Sequence, residues 1–145
     1  MSFTFTIETT NNKDVVYLSG SLDETSQLNV NYLKNQLGES CTFNLKEITS
    51  ANSIGISRLM ACMREVSQEK ELVLEECPNY LFKILGTLDS FNNISILSMY
   101  AEFFCEYCND EMQMLIQRSE QDKKVFCQHC GTEMKSDIES SDEED

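Results

Sequence analysis

The residues of this chain best suited to chemistry are its thiols. Seven cysteines occur in 145 residues, and four of them form two matched pairs, Cys105-Glu106-Tyr107-Cys108 and Cys127-Gln128-His129-Cys130, with 18 residues between. Two residues between thiols let both sulfurs reach one ion, at about 2.3 Å for zinc, and a second pair completes a tetrahedron. Four thiolates leave no open position for a substrate, so the spacing predicts a structural Zn2+ held by Cys105, Cys108, Cys127 and Cys130. Gly131, directly after Cys130, supplies backbone freedom where amides must turn toward sulfur. The single histidine, His129, lies inside the second pair. It is expected at the exposed tip of that turn, with replacement of one thiol as ligand the alternative. Two other readings stay open, a redox pair and a metal-free pair. A redox C-x-x-C belongs at the start of a helix that follows a strand.

The other cysteines, Cys41, Cys62 and Cys77, are scattered and have no histidine near them in sequence. A Cys–His nucleophile therefore has no support. The five glycines are too few and wrongly spaced for a phosphate-binding loop or a dinucleotide fingerprint. No set of residues assembles a catalytic site, and an enzyme is not expected.

A second candidate lies between Phe43 and Ile56. A strand stops, a polar loop follows, and Gly55 leads into an amphipathic helix with Ser53 just before it. Free amides and the positive end of the helix dipole favour a bound or covalent phosphate there. A phosphate on Ser53 would add about -1.5 to -2 charges. The alternative is that Asn52 or Ser53 simply caps the helix.

The elements that must position these residues follow from periodicity. Phe3, Phe5 and Ile7 alternate with polar residues as in a half-buried strand, Asn11 to Asp14 is a turn, and Val15 to Leu18 is a second strand ended by Gly20. Leu28, Tyr32, Leu33 and Leu37 have helical spacing, with Gly38 as C-cap. A short strand, Thr42 to Leu45, precedes the polar loop. Ile56, Leu59, Met60, Met63 and Val66 trace one helical face. Leu72 to Leu74 is a strand, and Pro78 opens a helix with Leu81, Ile84 and Leu85 that stops at Gly86. Ile94, Ile96 and Ser98 begin the last strand. The order β-β-α-β-α-β-α-β predicts an α/β sandwich, helices packed on a mixed sheet.

Residues 43–56 resemble the loop of the STAS domain, the family of bacterial anti-sigma factor antagonists. Asn44 falls where that family has a strand aspartate, and Asn52, Ser53, Ile54 and Gly55 fall on its Asp-Ser-Ser-Gly motif. Element order agrees over roughly residues 3–100, and Pro78 to Leu88 looks like the family's penultimate helix. The resemblance implies a STAS-like sheet with packed helices. It also implies phosphorylation of Ser53 by a partner serine kinase of the anti-sigma type, which would weaken their complex. The chain departs from the motif at two places, Asn52 for the acid and Ile54 for the second serine.

The segment from Phe103 to Met134 resembles a zinc ribbon. About 35 residues cannot bury enough surface to hold themselves, and metal binding can supply the missing folding free energy. Met112, Met114, Leu115 and Ile116 are expected to pack the ribbon onto the α/β domain or to present a contact surface. The expected organisation is a STAS-like domain at 1–100, a ribbon at 101–135 and an acidic tail at 136–145.

Composition narrows the function. There are 25 acidic and 11 basic residues, net -14, and the chain is 41% hydrophobic. That excludes a fully disordered chain. Six acidic residues and no basic one lie in the tail, so eleven basic face nineteen acidic elsewhere, a net of -8. Phosphate contact needs a basic footprint, which this lacks. The N-terminus has neither the basic nor the apolar region of a signal peptide, and no stretch approaches the roughly 20 apolar residues of a membrane span. The expectation is a cytoplasmic, non-enzymatic regulatory module that binds a protein partner, such as an anti-sigma-type kinase or sensor. The alternative is a zinc-ribbon adaptor contacting transcription machinery or nucleic acid.

Overall fold

The computed structural model describes residues 3–85, 93–120 and 124–136. Gly86 and Leu88, and the tail beyond Ser136, lie outside the described residues.

β1 (Thr4–Thr10) and β2 (Lys13–Leu22) form an antiparallel hairpin in register from Thr4↔Ser19 to Thr10↔Lys13. Only Asn11 and Asn12 make the turn, both at positive φ (50° and 64°). Two asparagines suit such a two-residue connection, because asparagine tolerates the left-handed region. Lys13 and Asp14 belong to β2. Gly20 does not end that strand. It takes φ 96° at an irregularity in the β2–β3 register, and the strand continues to the fully buried Leu22.

α1 (Val30–Gln36) is shorter than its spacing suggested. Asn29 caps it by accepting from the Tyr32 amide, so Leu28 lies outside the helix. The C-cap is Leu37, not Gly38, whose amide instead donates to Asp14 Oδ2 at 2.7 Å. β3 (Ser40–Ala51) is twelve residues long rather than four. Its second half pairs in parallel with the end of β2, from Ser19↔Glu47 to Leu22↔Ala51, so the expected polar loop at 46–51 is strand.

α2 (Ser53–Ser67), β4 (Glu71–Glu75), α3 (Asn79–Leu85) and β5 (Ile94–Ile96) follow. Pro78 precedes the first helical turn of α3, its carbonyl accepting from Phe82 N. The first sheet has order β1-β2-β3-β4-β5, antiparallel at β1 and parallel elsewhere. α1 and α2 pack against each other, and α2 also against β2 and β4. Leu33, Leu59, Met63 and Val66 meet Val16, Leu18, Phe43, Leu45, Leu72 and Leu74, all buried, to form the core. Each such side chain contributes about 1.5–3 kcal/mol relative to exposure.

Ser98 does not extend β5. After the single residue Leu97 it starts β6 (Ser98–Phe104), which pairs with β7 (Glu111–Gln117) and β8 (Lys135–Ser136) in a second, antiparallel sheet of order β7-β6-β8. The sheets are stitched together. Leu97 N donates to Leu74 O, Leu97 O accepts from Arg118 N, and Cys77 bridges Met99. Met99, Ala101, Phe103, Cys105, Ile116, Cys127 and Met134 join the same continuous core. Ile116 is buried, Met112 and Met114 pack partly against the core, and Leu115 faces out. No helix among the described residues is long and apolar enough to cross a membrane.

Candidate functional site

The two cysteine pairs occupy turns of matching construction. The Cys105 amide donates to Asp110 O at 2.9 Å, and Asn109 N donates to Cys105 O at 2.8 Å. In the second turn Cys127 N donates to Thr132 O and Gly131 N to Cys127 O, both at 2.9 Å. The residue after each second cysteine is left-handed, Asn109 at φ 59° and Gly131 at φ 76°. A Cβ on Gly131 would meet nothing within 4 Å, so glycine there serves conformation, not space. Neither pair begins a helix, so the geometry of a redox C-x-x-C is not present.

The turns bring Cys105, Cys108, Cys127 and Cys130 together, every Sγ within 4.8 Å of the others and none in a disulfide. Cys105 and Cys130 sulfurs stand 3.6 Å apart. A tetrahedral zinc–thiolate centre needs sulfurs about 3.8 Å apart, given bonds of about 2.3 Å. The donor set therefore fits a metal ion. Thr132 Oγ1 lies 3.3 Å from Cys130 Sγ, and its hydroxyl and amide hold that thiol down to about 6. Cys108 is pushed up to about 12, first by its contact with Cys130. His129 stands outside the cluster and places Nε2 3.1 Å from Asp110 Oδ2. Asp110 thus closes the first turn by its carbonyl, which accepts from Cys105 N, and reaches the second by its carboxylate, which lies against His129. Asn109, Asp110 and Thr132 were not singled out from the sequence. Laying Cys105–Asp110 over Cys127–Thr132 would have found them, because Asn109 then falls on Gly131 and Asp110 on Thr132.

The remaining thiols are set apart from this cluster. Burial pushes Cys41 up to about 11 and both Cys62 and Cys77 up to about 12. They are protonated packing residues at neutral pH.

At the other candidate, Asn52 is the helix cap. Its Oδ1 accepts from Gly55 N at 2.8 Å and its carbonyl from Ile56 N at 2.9 Å. Ser53 is the first helical residue rather than the one before the helix, and it is exposed beside the half-exposed Ile54. The Asn52 amide donates to Leu22 O at 3.0 Å, and its Nδ2 to Glu24 Oε1 at 2.9 Å. Arg58, one turn on, donates to the Glu24 and Ser26 carbonyls at 2.6 and 3.3 Å. The start of α2 is thus clamped to the segment after β2. Gly55 makes this possible, because a Cβ there would overlap the Leu22 carbonyl group. Glu24 and Arg58 carried no sequence signal, since their role depends on β2 ending beside α2. Asn44 is nearly buried in β3, where it donates to Glu75 Oε2 at 2.9 Å and accepts from Lys46 N at 3.0 Å.

The Asn52 amide holds the Glu24 carboxyl below its ordinary value. A depressed folded-state value means stability that is present above the unfolded value of 4.5 and lost as pH falls through the folded one. Asn52→Ala is expected to cost about 1 kcal/mol at neutral pH through the lost cap. It should also flatten the acid limb of the stability curve, as urea denaturation from neutral pH downward will show.

No protein-family model matches the sequence, and no curated protein matches it either. The fold does have solved counterparts. The mixed five-stranded sheet with its three helices is the fold of the STAS class of anti-sigma factor antagonists. The structure aligns with the crystal structure of an anti-sigma factor antagonist from Mycobacterium paratuberculosis at a TM-score of 0.52. The alignment covers 65% of this chain and 86% of the other, with 16% identity. At that identity the likeness is one of fold.

Proposed function

We propose that this protein is a non-enzymatic regulatory module that docks a protein partner through the surface around Ser53 and α2. A structural zinc ion held by Cys105, Cys108, Cys127 and Cys130 secures the ribbon. The observation that carries the docking role is the division of labour at the start of α2. Asn52 supplies the cap, so the Ser53 hydroxyl is not consumed by capping and stands exposed at the positive end of a fifteen-residue helix. The STAS fold supports this reading, since the solved antagonist it matches carries a protein-binding function in its name.

In this reading a serine kinase of the anti-sigma type is both partner and modifier. Phosphorylated Ser53 would place about -1.5 to -2 charges beside Asn52 and Glu24, and so change the electrostatics of the docking face. Incubation with ATP and candidate kinases, followed by peptide mass spectrometry, should find one phosphate on Ser53. Ser53→Ala should remain unmodified and keep binding the partner. Wild-type protein that stays unmodified with its cognate kinase removes the switch. The four thiols contribute a rigid, closed coordination shell. When bound there, zinc supplies cross-linking between the two turns and no reactive position.

A further inference from the structure

The thiols of this chain are not equally open to solvent. Cys41, Cys62, Cys77, Cys105 and Cys127 are buried, Cys108 is partly buried, and Cys130 is exposed. Within the metal cluster the contrast is sharpest inside the second turn. Cys127 Sγ accepts from the His129 amide at 3.4 Å and faces Asp110 Oδ2 at 3.8 Å, so protein fills its surroundings. Cys130 Sγ has the Thr132 hydroxyl at 3.3 Å, on a residue that solvent reaches. Across the cluster, Cys105 Sγ of the first turn stands 3.6 Å from it. A disulfide between these two sulfurs needs them to approach by about 1.5 Å. Cys105 lies in the continuous core at the end of β6, whereas Cys130 precedes Gly131 at φ 76° in an exposed turn. The movement therefore falls to Cys130.

We infer that Cys130 is a modification site for hydrogen peroxide, that Cys105 resolves the modified sulfur as a disulfide, and that the metal ion leaves in consequence. The inference rests on the zinc reading above. A thiol bound to a metal is deprotonated, and the thiolate is the form that reacts. The Cys130 sulfur attacks one peroxide oxygen. An S–O bond forms, the O–O bond breaks, and the departing hydroxide takes a proton to become water. Cys130 is then a sulfenic acid, its sulfur oxidised by two electrons. The Cys105 sulfur attacks it, the S–S bond forms as the S–O bond breaks, and a second hydroxide leaves and is protonated. Two thiolates, one peroxide and two protons thus give one disulfide and two waters. Cys108 and Cys127 remain as ligands, half the set that a tetrahedral zinc site uses. The disulfide spans the two turns, unlike a redox C-x-x-C, and so replaces the ion as their link. A dithiol reductant can reopen it by exchange.

Treating the full, zinc-loaded chain with hydrogen peroxide tests this, with a chromogenic zinc indicator present and peptide mass spectrometry after free thiols are blocked. Peroxide should release about one zinc per chain, matched by one Cys105–Cys130 link. Cys41, Cys62 and Cys77 should stay reduced, as controls within the same molecule. Dithiothreitol followed by zinc should restore the loaded chain. Iodoacetamide without peroxide should label Cys130 before Cys108, Cys105 or Cys127. A loaded chain that keeps its ion in excess peroxide, a link confined to one turn, or labelling that begins at another thiol overturns the inference and leaves the zinc reading intact. A chain that purifies without metal overturns the zinc reading instead, and the peptide map then decides alone whether Cys105 and Cys130 pair. None of these outcomes bears on Ser53, whose phosphorylation is read separately.

Discussion

Removing the proposed zinc, or replacing Cys105 and Cys130 by serine, is expected to have the largest effect on this protein. Purified chain should contain about one zinc, and a chelator or the double substitution should remove it. Structural zinc binding to zinc-finger peptides is worth roughly 10–16 kcal/mol at neutral pH. Not all of this reaches the melting curve here, because Met99, Ala101, Phe103 and Ile116 anchor the second sheet in the common core. A net loss of about 4 kcal/mol would lower the melting temperature by about 10 °C in a chain of this length. Amide exchange should accelerate first in the two cysteine turns and β8, and last in β6. Metal analysis near zero, with a melting curve that ignores chelator, contradicts the assignment.

The second large effect is expected at Gly55. Alanine is the better helix former by about 1 kcal/mol, so propensity alone predicts that Gly55→Ala stabilises α2. The structure reverses the sign. The added methyl would overlap the Leu22 carbonyl group and come within 2.5 Å of Asp23 N, all backbone atoms of the adjoining segment. Overpacking of this kind costs about 1–3 kcal/mol or more, and it pushes against the hydrogen bond from Asn52 N to Leu22 O. A net loss of about 3 kcal/mol in urea denaturation is the expected result. Gly38→Ala is the control. Its Cβ would sit 3.3 Å from a side-chain oxygen of Asp14, which can give way, so a small change is expected. If the two variants are equally stable, the close packing of α2 on β2 is not the reason for glycine at 55.

Comparing these elements with their sequence shows what periodicity can reveal. The α2 face and the paired cysteines were legible because their spacing is fixed by helix geometry and by the reach of two thiols to one ion. The length of β3 was not. Lys46 and Glu47 next to each other break the alternation, and the strand persists only because β2 passes its own glycine and offers a partner as far as Leu22. That is a long-range fact, invisible in a local window. That Ser98 belongs to a separate strand is hidden for a related reason. Ile94, Ile96 and Ser98 keep period two across Leu97, where the chain leaves one sheet for the other. The Ser53 loop was legible as a helix start, while its clamp to Glu24 and the Arg58 contacts depend on tertiary proximity alone.

The one-residue passage through Leu97 has a consequence for recognition. Its amide and its carbonyl are both hydrogen bonded, one to each sheet's neighbourhood, and the core runs beneath it without interruption. Such a joint leaves the two sheets no hinge. A partner spanning both the start of α2 and the second sheet would meet a surface whose angle is already set, and would lose no affinity to freezing a swivel. Inserting two or three glycines beside Leu97 would introduce that freedom, and with it the entropy that the native chain has given up during folding.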